Sequence, residues 1–277
     1  MSYATPPGHP PADLPVQWGR RVWALALRWA LAWWRIIDLG AVVLVLVCSP
    51  SSYRRAARER MARQMLMDTA PILLGFTALA ALLSLVITHI VVVTAHSYGL
   101  TRYALEMVIR VLVLELIPLT AALFVAMRST MPSGAQLARL RAAGWLQALR
   151  ERGADPVRME LLPRVLAGVH ACITLAALSC VVALVMAYLG VYGLNAAGLP
   201  AYTRMFGQVF TPSITLVFGL KTLLFSMAVA LIPMATALYP PPRGVLQGLD
   251  GQGQGGLARM FAVLLLIEVL SLMGNYY

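Results

Sequence analysis

The chain has 277 residues, of which 60% are hydrophobic and only 12% are charged, and its mean hydropathy is +0.77. A soluble domain of this length needs far more polar surface to cover its core, so the composition excludes a soluble globular protein. The formal charge of +11 comes from arginines in short segments beside apolar blocks. This placement favours contact with anionic membrane surfaces, and we expect no nucleic-acid partner.

The N-terminal part differs in composition from the rest of the chain. Residues 1–15 contain five prolines and are expected to form a disordered tail. Residues 16–37 interleave tryptophan with arginine, which is typical of a helix lying at headgroup level. The apolar run 41–48 is too short to cross a bilayer alone. We therefore assign residues 16–68 to an interfacial, amphipathic segment, although the composition of its first two thirds is also compatible with a crossing.

The remaining residues, 69–277, are expected to form one membrane domain. Five blocks in it are apolar and long enough to span a bilayer, namely residues 70–95, 104–127, 165–190, 213–238 and 257–274. The sequence thus predicts an all-α, polytopic helical bundle with about five transmembrane helices. Residues 128–163 form a long polar segment, and residues 195–212 are expected to be a loop.

The distribution of arginine predicts the orientation of the chain. Fourteen arginines lie in segments 50–68, 128–164 and 239–259, whereas segments 96–103 and 195–212 hold two. Because cationic residues are enriched on the cytoplasmic side, segment 128–163 and the N-terminus should be cytoplasmic. The C-terminus should lie on the opposite side of the membrane.

Charged residues inside predicted spans usually face a protein interior or a wet cavity, and four of them are candidates for a functional role. Glu106 and Arg110 are four residues apart on one helix face and can pair. Glu115 lies near the middle of the second span, and Pro118 frees a backbone carbonyl one turn away. Lys221 in the fourth span is close enough to the outer surface to snorkel towards it. A polar transport path and a structural ion pair both explain these residues.

The cytoplasmic segment carries a second signal. Residues 135–152 are expected to form one basic amphipathic helix in which leucines, including Leu149, alternate with arginines such as Arg150. Gly153 should end that helix, and Asp155 should cap the next one with Pro156 at its first position, just before Arg158. A short helix joined rigidly to membrane spans is suited to receive force from a motor subunit, although a partnerless interfacial helix has the same pattern.

No pattern in the chain predicts chemistry of its own. The single lysine, Lys221, is not preceded by glycine, so the nucleotide-binding Gly-Lys-[Ser/Thr] core is missing, and any ATP must bind another subunit. Histidine and cysteine residues are isolated, without the spacing of metal ligands or of a nucleophile and base. We therefore predict no catalytic, cofactor-binding or metal site.

Three stretches resemble permeases of the MlaE (YrbE) family, from about residue 54 to the C-terminus. Residues 114–118 (LELIP) are similar to the family's Arg-Glu-Leu-Gly-Pro run, and residues 153–158 (GADPVR) to its coupling segment. Residues 220–225 (LKTLLF) are similar to its Ile-Lys-Ser-x-x-Phe run. Leu114 stands where the family has arginine, and Arg110 is a candidate for supplying that charge. The family's two glutamates in the cytoplasmic helix fall at Gln136 and Gly144.

The resemblance implies a transmembrane subunit of an ABC-type lipid transporter in the bacterial inner membrane. A cytoplasmic ATPase would dock around residues 144–158, and a periplasmic MCE-domain protein would bind the outer face. Two permease copies, identical or not, would enclose a lipid-accessible cavity, and phospholipid would pass between the inner membrane and the MCE protein. Two other functions remain open for a divergent member: a non-transporting membrane scaffold, and an ion-coupled secondary transporter that uses Glu115.

Overall fold

The structure, a computed structural model, describes residues 14–49, 55–99, 101–239 and 254–276. Residues 1–13 of the expected tail lie outside the described residues, and its last two residues are helical. The described parts fold into ten α-helices: α1 (Leu14–Cys48), α2 (Arg55–Ser97), α3 (Thr101–Val108), α4 (Ile117–Val125), α5 (Met131–Ala142), α6 (Trp145–Glu151), α7 (Leu162–Tyr192), α8 (Leu199–Val209), α9 (Pro212–Leu238) and α10 (Gln254–Tyr276).

Five helical stretches in the described part are long and apolar enough to cross a membrane: Met61–Ser97, Leu105–Ala142, Val157–Tyr192, Pro212–Leu238 and Gly256–Gly274. The predicted all-α bundle with five spans is therefore confirmed. The second stretch is the most buried of the five, so it forms the centre of the bundle. In it, the π-helical turns Ile109–Leu116 and Ala126–Thr130 join α3, α4 and α5 into one continuous helix.

The Trp/Arg-rich stretch and the apolar run of the N-terminal segment lie on one helix, α1, and residues 55–68 of that segment belong to α2. Helix α1 runs through the Trp/Arg-rich stretch and the apolar run 41–48 without a break, and its 35 residues extend about 52 Å. Leu39, Val43 and Leu46 are buried at helical spacing, and Gly40 allows close approach to Leu231 of α9. Its position relative to a bilayer stays a prediction.

The polar segment after the second span starts later than predicted. The helix does not end near residue 127 but continues to Ala142, because Leu137 is buried in an apolar cluster at this end of the bundle. The single helix predicted over residues 135–152 is wrong. Gly144 has φ +76°, a left-handed conformation that ends α5, and the chain then starts again as α6.

The predicted loop over residues 195–212 is also wrong, since most of it is helix α8. The Asn195 side chain accepts a hydrogen bond from the Ala197 amide at 3.0 Å, and Pro200 lies in the first turn. Tyr202 faces α7 and donates its hydroxyl to the Leu184 carbonyl at 2.8 Å. Burial raises the pKa of Tyr202 to about 12, so the hydroxyl keeps its proton in neutral solution and holds α8 against the bundle.

Small residues allow the central helices to approach one another closely. The buried face of α7 carries Ala167, Gly168, Ala171, Cys172, Ala176, Ser179, Cys180, Ala183 and Ala187. A Cβ atom on Gly168 would lie 2.7 Å from Thr130 Cγ2 and 3.3 Å from Ala230 Cβ. Three helices therefore meet at Gly168, and this contact depends on the missing side chain.

We predict that Gly168→Val destabilises the protein by about 1–3 kcal/mol, because the branched side chain cannot fit between Thr130 and Ala230. The matched control is Gly219→Ala in α9, where an added Cβ meets nothing within 4 Å. Denaturant unfolding of both variants in detergent micelles measures the difference. Equal stability of the two variants would contradict the close packing described here.

Candidate functional site

Lys221 lies in the interior of the membrane domain. Its side chain is only 2% exposed, although it sits about 14 Å along α9 from Pro212. The expectation that it snorkels to the outer surface is therefore wrong. Its ammonium group turns inwards to two carboxyl groups. Their attraction stabilises the charge more than extending the side chain along an apolar surface to the headgroups would.

The two carboxyl groups come from two other helices. The carboxylate of Glu115, in the π-helical turn of the second span, forms an ion pair with Lys221 through Oε2. Glu268 Oε2, from α10, lies 2.9 Å from Lys221 Nζ. The side chains of Glu115 and Glu268 are 10% and 14% exposed. We call Glu115, Lys221 and Glu268 the charge cluster; it ties three helices together.

Pro118 shapes the backbone at the cluster. Proline has no amide hydrogen, so one donor is missing for the carbonyls of Leu114 and Val113, which would accept from residue 118 in α-helical and π-helical register, respectively. Both find another one: Lys221 Nζ donates to the Leu114 carbonyl at 3.3 Å, and Cys180 Sγ donates to the Val113 carbonyl at 3.6 Å. The predicted freed carbonyl is thus a direct part of the Lys221 site.

The predicted pair between Glu106 and Arg110 is present but does not join the cluster. Arg110 Nη2 lies 3.2 Å from Glu106 Oε1, and the side chains are 27% and 42% exposed, respectively. Arg110 is engaged with Glu106 one turn before Leu114, and its role as a substitute for the family's arginine stays a prediction.

The coupling segment forms a compact corner at the end of the second span. Helix α6 turns Leu149 inwards and leaves Arg150 exposed. Gly153 has φ +72° and ends the helix as predicted. Asp155 Oδ1 accepts from the Val157 amide at 2.9 Å, which confirms the predicted cap, while Arg158 lies 3.7 Å from Asp155 and Pro156 is buried.

Sequence reasoning missed two features of these sites. Glu268 is the one acidic residue in Gly256–Gly274, and the argument used for Glu115 applies to it equally. The second feature is Glu160, whose carboxylate accepts from Trp145 Nε1 at 3.3 Å and pairs with Arg164. No local sequence pattern predicts the Trp145–Glu160 hydrogen bond, because it joins α6 to the start of the third span across a turn.

The geometry suits mechanical and electrostatic roles. An ammonium held by two carboxyls and a carbonyl has no open position for a substrate, and such a cluster fixes helix positions until one of its members moves. Among the residues that the structure describes, no three His, Cys, Asp or Glu side chains are placed to hold a metal ion.

We predict that Lys221→Met lowers the free energy of unfolding by about 3–5 kcal/mol, because it leaves two carboxyl groups buried without a cation. Arg110→Met breaks a partly exposed pair and should cost less than about 1 kcal/mol. Denaturant titration in mixed micelles compares the two variants. Adding Glu115→Gln and Glu268→Gln to Lys221→Met should recover stability, and an unimproved triple variant would contradict the electrostatic cause.

The comparisons with known proteins agree with this architecture. No curated protein matches the chain. The family model described as Permease MlaE matches residues 61–274, a range that includes all five spans, the charge cluster and the coupling segment. The chain therefore belongs to the MlaE permease family, and it is a membrane permease subunit of an ABC-type transporter.

Proposed function

We propose that this permease moves phospholipid, or a related lipid, between the bacterial inner membrane and a periplasmic MCE-domain carrier. A separate cytoplasmic ATPase supplies the energy, and ATP binds to that subunit. The proposal includes a second permease copy, identical or divergent, that completes the lipid pathway. The N-terminus is cytoplasmic and the C-terminus periplasmic, in accordance with the arginine distribution.

One observation carries this proposal: a single continuous helix links the charge cluster to the coupling segment. Glu115 and Ala142 lie on the same helical stretch, about 40 Å apart at 1.5 Å per residue. A displacement at the cytoplasmic end is therefore transmitted along a stiff element to the buried charges. The second-span helix is the part of the chain through which an ATPase acts on the membrane interior.

The coupling segment is built to receive such a displacement. The Trp145–Glu160 hydrogen bond and the Asp155 cap hold α6 against the start of the third span. Arg150 and Arg158 remain exposed and offer positive charge to an acidic groove on the ATPase. We place the docking surface on residues 144–158, with the arginines rather than the inward-facing Leu149 in contact with the partner.

The distribution of polarity supports a lipid cargo. The buried charged side chains of the described membrane domain are confined to the cluster, and this cluster is internally paired. The outward faces of the spans carry large aliphatic side chains such as Leu74, Leu82 and Leu266. A hydrophilic solute would need a polar lining that the described residues of one chain do not show, whereas a lipid can keep its tails against these faces.

Reconstitution tests the proposal directly. Proteoliposomes that contain this chain, its ATPase and a fluorescent phospholipid should deliver lipid to a soluble MCE-domain protein only when ATP is hydrolysed. ATP-independent delivery driven by a proton gradient would favour an ion-coupled transporter, for which the intramembrane charge cluster is the supporting observation. ATPase binding without any lipid transfer would favour a scaffold.

We predict that replacing Asp155 and Pro156 with glycines uncouples the two activities. The change removes the cap and the rigid first position of the helix, so ATP hydrolysis should continue while lipid transfer falls at least tenfold. The matched control is Asn195→Ala, which removes a similar cap on the opposite side of the membrane. Unchanged lipid transfer in the double-glycine variant would contradict a mechanical role for the coupling segment.

A further inference from the structure

The charges in the cluster do not balance. One ammonium group, that of Lys221, faces two carboxyl groups, those of Glu115 and Glu268. If all three were ionised, the site would carry a net charge of −1 inside the membrane domain. An uncompensated charge in such a place costs several kcal/mol and is usually removed by a second cation or by a proton.

The described arginines on the surrounding helices are paired elsewhere, exposed or distant. Arg110, on the second span, is paired with Glu106, and Arg204, on α8 beside the π-helical turn Ile109–Leu116, is exposed. Arg259 lies on α10 itself, but nine residues before Glu268 and thus about 14 Å along the helix. Helix α7 contributes the Cys180 thiol, which donates to the Val113 carbonyl, and α4 has no titratable side chain. Lys221 on α9 is therefore the cation that the cluster contains.

The contacts of the two carboxyl groups with Lys221 indicate where a proton lies. Glu115 Oε2 and Glu268 Oε2 both contact the same ammonium nitrogen, and two ionised carboxylates have only acceptor atoms and repel each other. Lys221 Nζ donates a hydrogen bond to Glu115, whereas Glu268 Oε2 is buried and receives no directed hydrogen bond. Glu268 is therefore the carboxyl group that needs a hydrogen of its own.

We infer that the charge cluster is a proton-binding site, in which the Glu268 carboxyl group holds one proton beside the ion pair of Lys221 and Glu115. The proton comes from water, and its binding makes the cluster neutral: one ammonium, one carboxylate and one carboxylic acid. Loss of the proton leaves a negative charge between α9 and α10 and weakens their contact. This site does not depend on the transported cargo.

Infrared spectroscopy of the full-length protein in lipid tests the inference at neutral pH. The carbonyl stretch of a protonated carboxylic acid should appear in the difference spectrum between wild type and Glu268→Gln, and also between wild type and Glu115→Gln. Each amide leaves one lysine facing one carboxylate, so neither variant needs the proton. Glu106→Gln is the control and should not change this band. Absence of the band from both cluster difference spectra would overturn the inference.

Stability gives a second readout that does not rely on the band. Wild type must take up a proton when it folds at neutral pH, because glutamate is ionised in the unfolded chain, whereas the amide of Glu268→Gln needs none. The variant should therefore unfold at a higher denaturant concentration than wild type at neutral pH, and this difference should grow as the pH rises from mildly acidic to neutral. A variant that is less stable than wild type at neutral pH would show that the proton is not there.

Discussion

The burial of one ammonium group constrains the rest of this membrane domain. Lys221 is placed far from water, and its charge is tolerated because Glu115, Glu268 and the Leu114 carbonyl surround it. Those partners come from the second span and α10, and Lys221 comes from α9, so the relative positions of these three helices follow from one electrostatic requirement. A lipid-facing bundle has little hydrophobic force between its helices, which makes such polar contacts important for their registry.

The local backbone is adapted to this requirement. Pro118 removes one amide donation, and the π-helical turn Ile109–Leu116 holds the nearby Val113 and Leu114 carbonyls. Small residues on α7, with Gly168 at the closest contact, let the neighbouring helices pack tightly around the second span. The same helix then continues to Ala142, where the coupling segment begins. The buried Glu115, the π-helical turns and the attachment point of the coupling segment therefore lie on one continuous helical stretch, Leu105–Ala142.

The number of spans could be predicted because a bilayer demands long apolar blocks. The predicted ends agree within a residue or two only for Pro212–Leu238 and Gly256–Gly274. The paired Glu106 and Arg110 and the Asp155 cap were also predictable, since both depend on residues a few positions apart. Composition was misleading at Met131–Ala142, where a polar segment continues the helix because Leu137 is buried.

The assembly of the charge cluster could not be predicted from any one segment. Glu115, Lys221 and Glu268 are separated by long stretches of chain, and the sequence leaves the roles of Glu115 and Lys221 open between a polar transport path and a structural ion pair. Only packing decides that they meet. Local sequence was also misleading at Gly144. This single residue has a left-handed conformation and ends α5, although the pattern over residues 135–152 predicts one helix.

Affinity purification of the tagged chain from its native membrane in mild detergent, with mass spectrometry of proteins and lipids, tests the central claim most directly. The account predicts an ATPase and an MCE-domain protein in amounts comparable to the chain, together with bound phospholipid. A chain that is recovered alone and free of lipid, from membranes in which those partners are expressed, would contradict it.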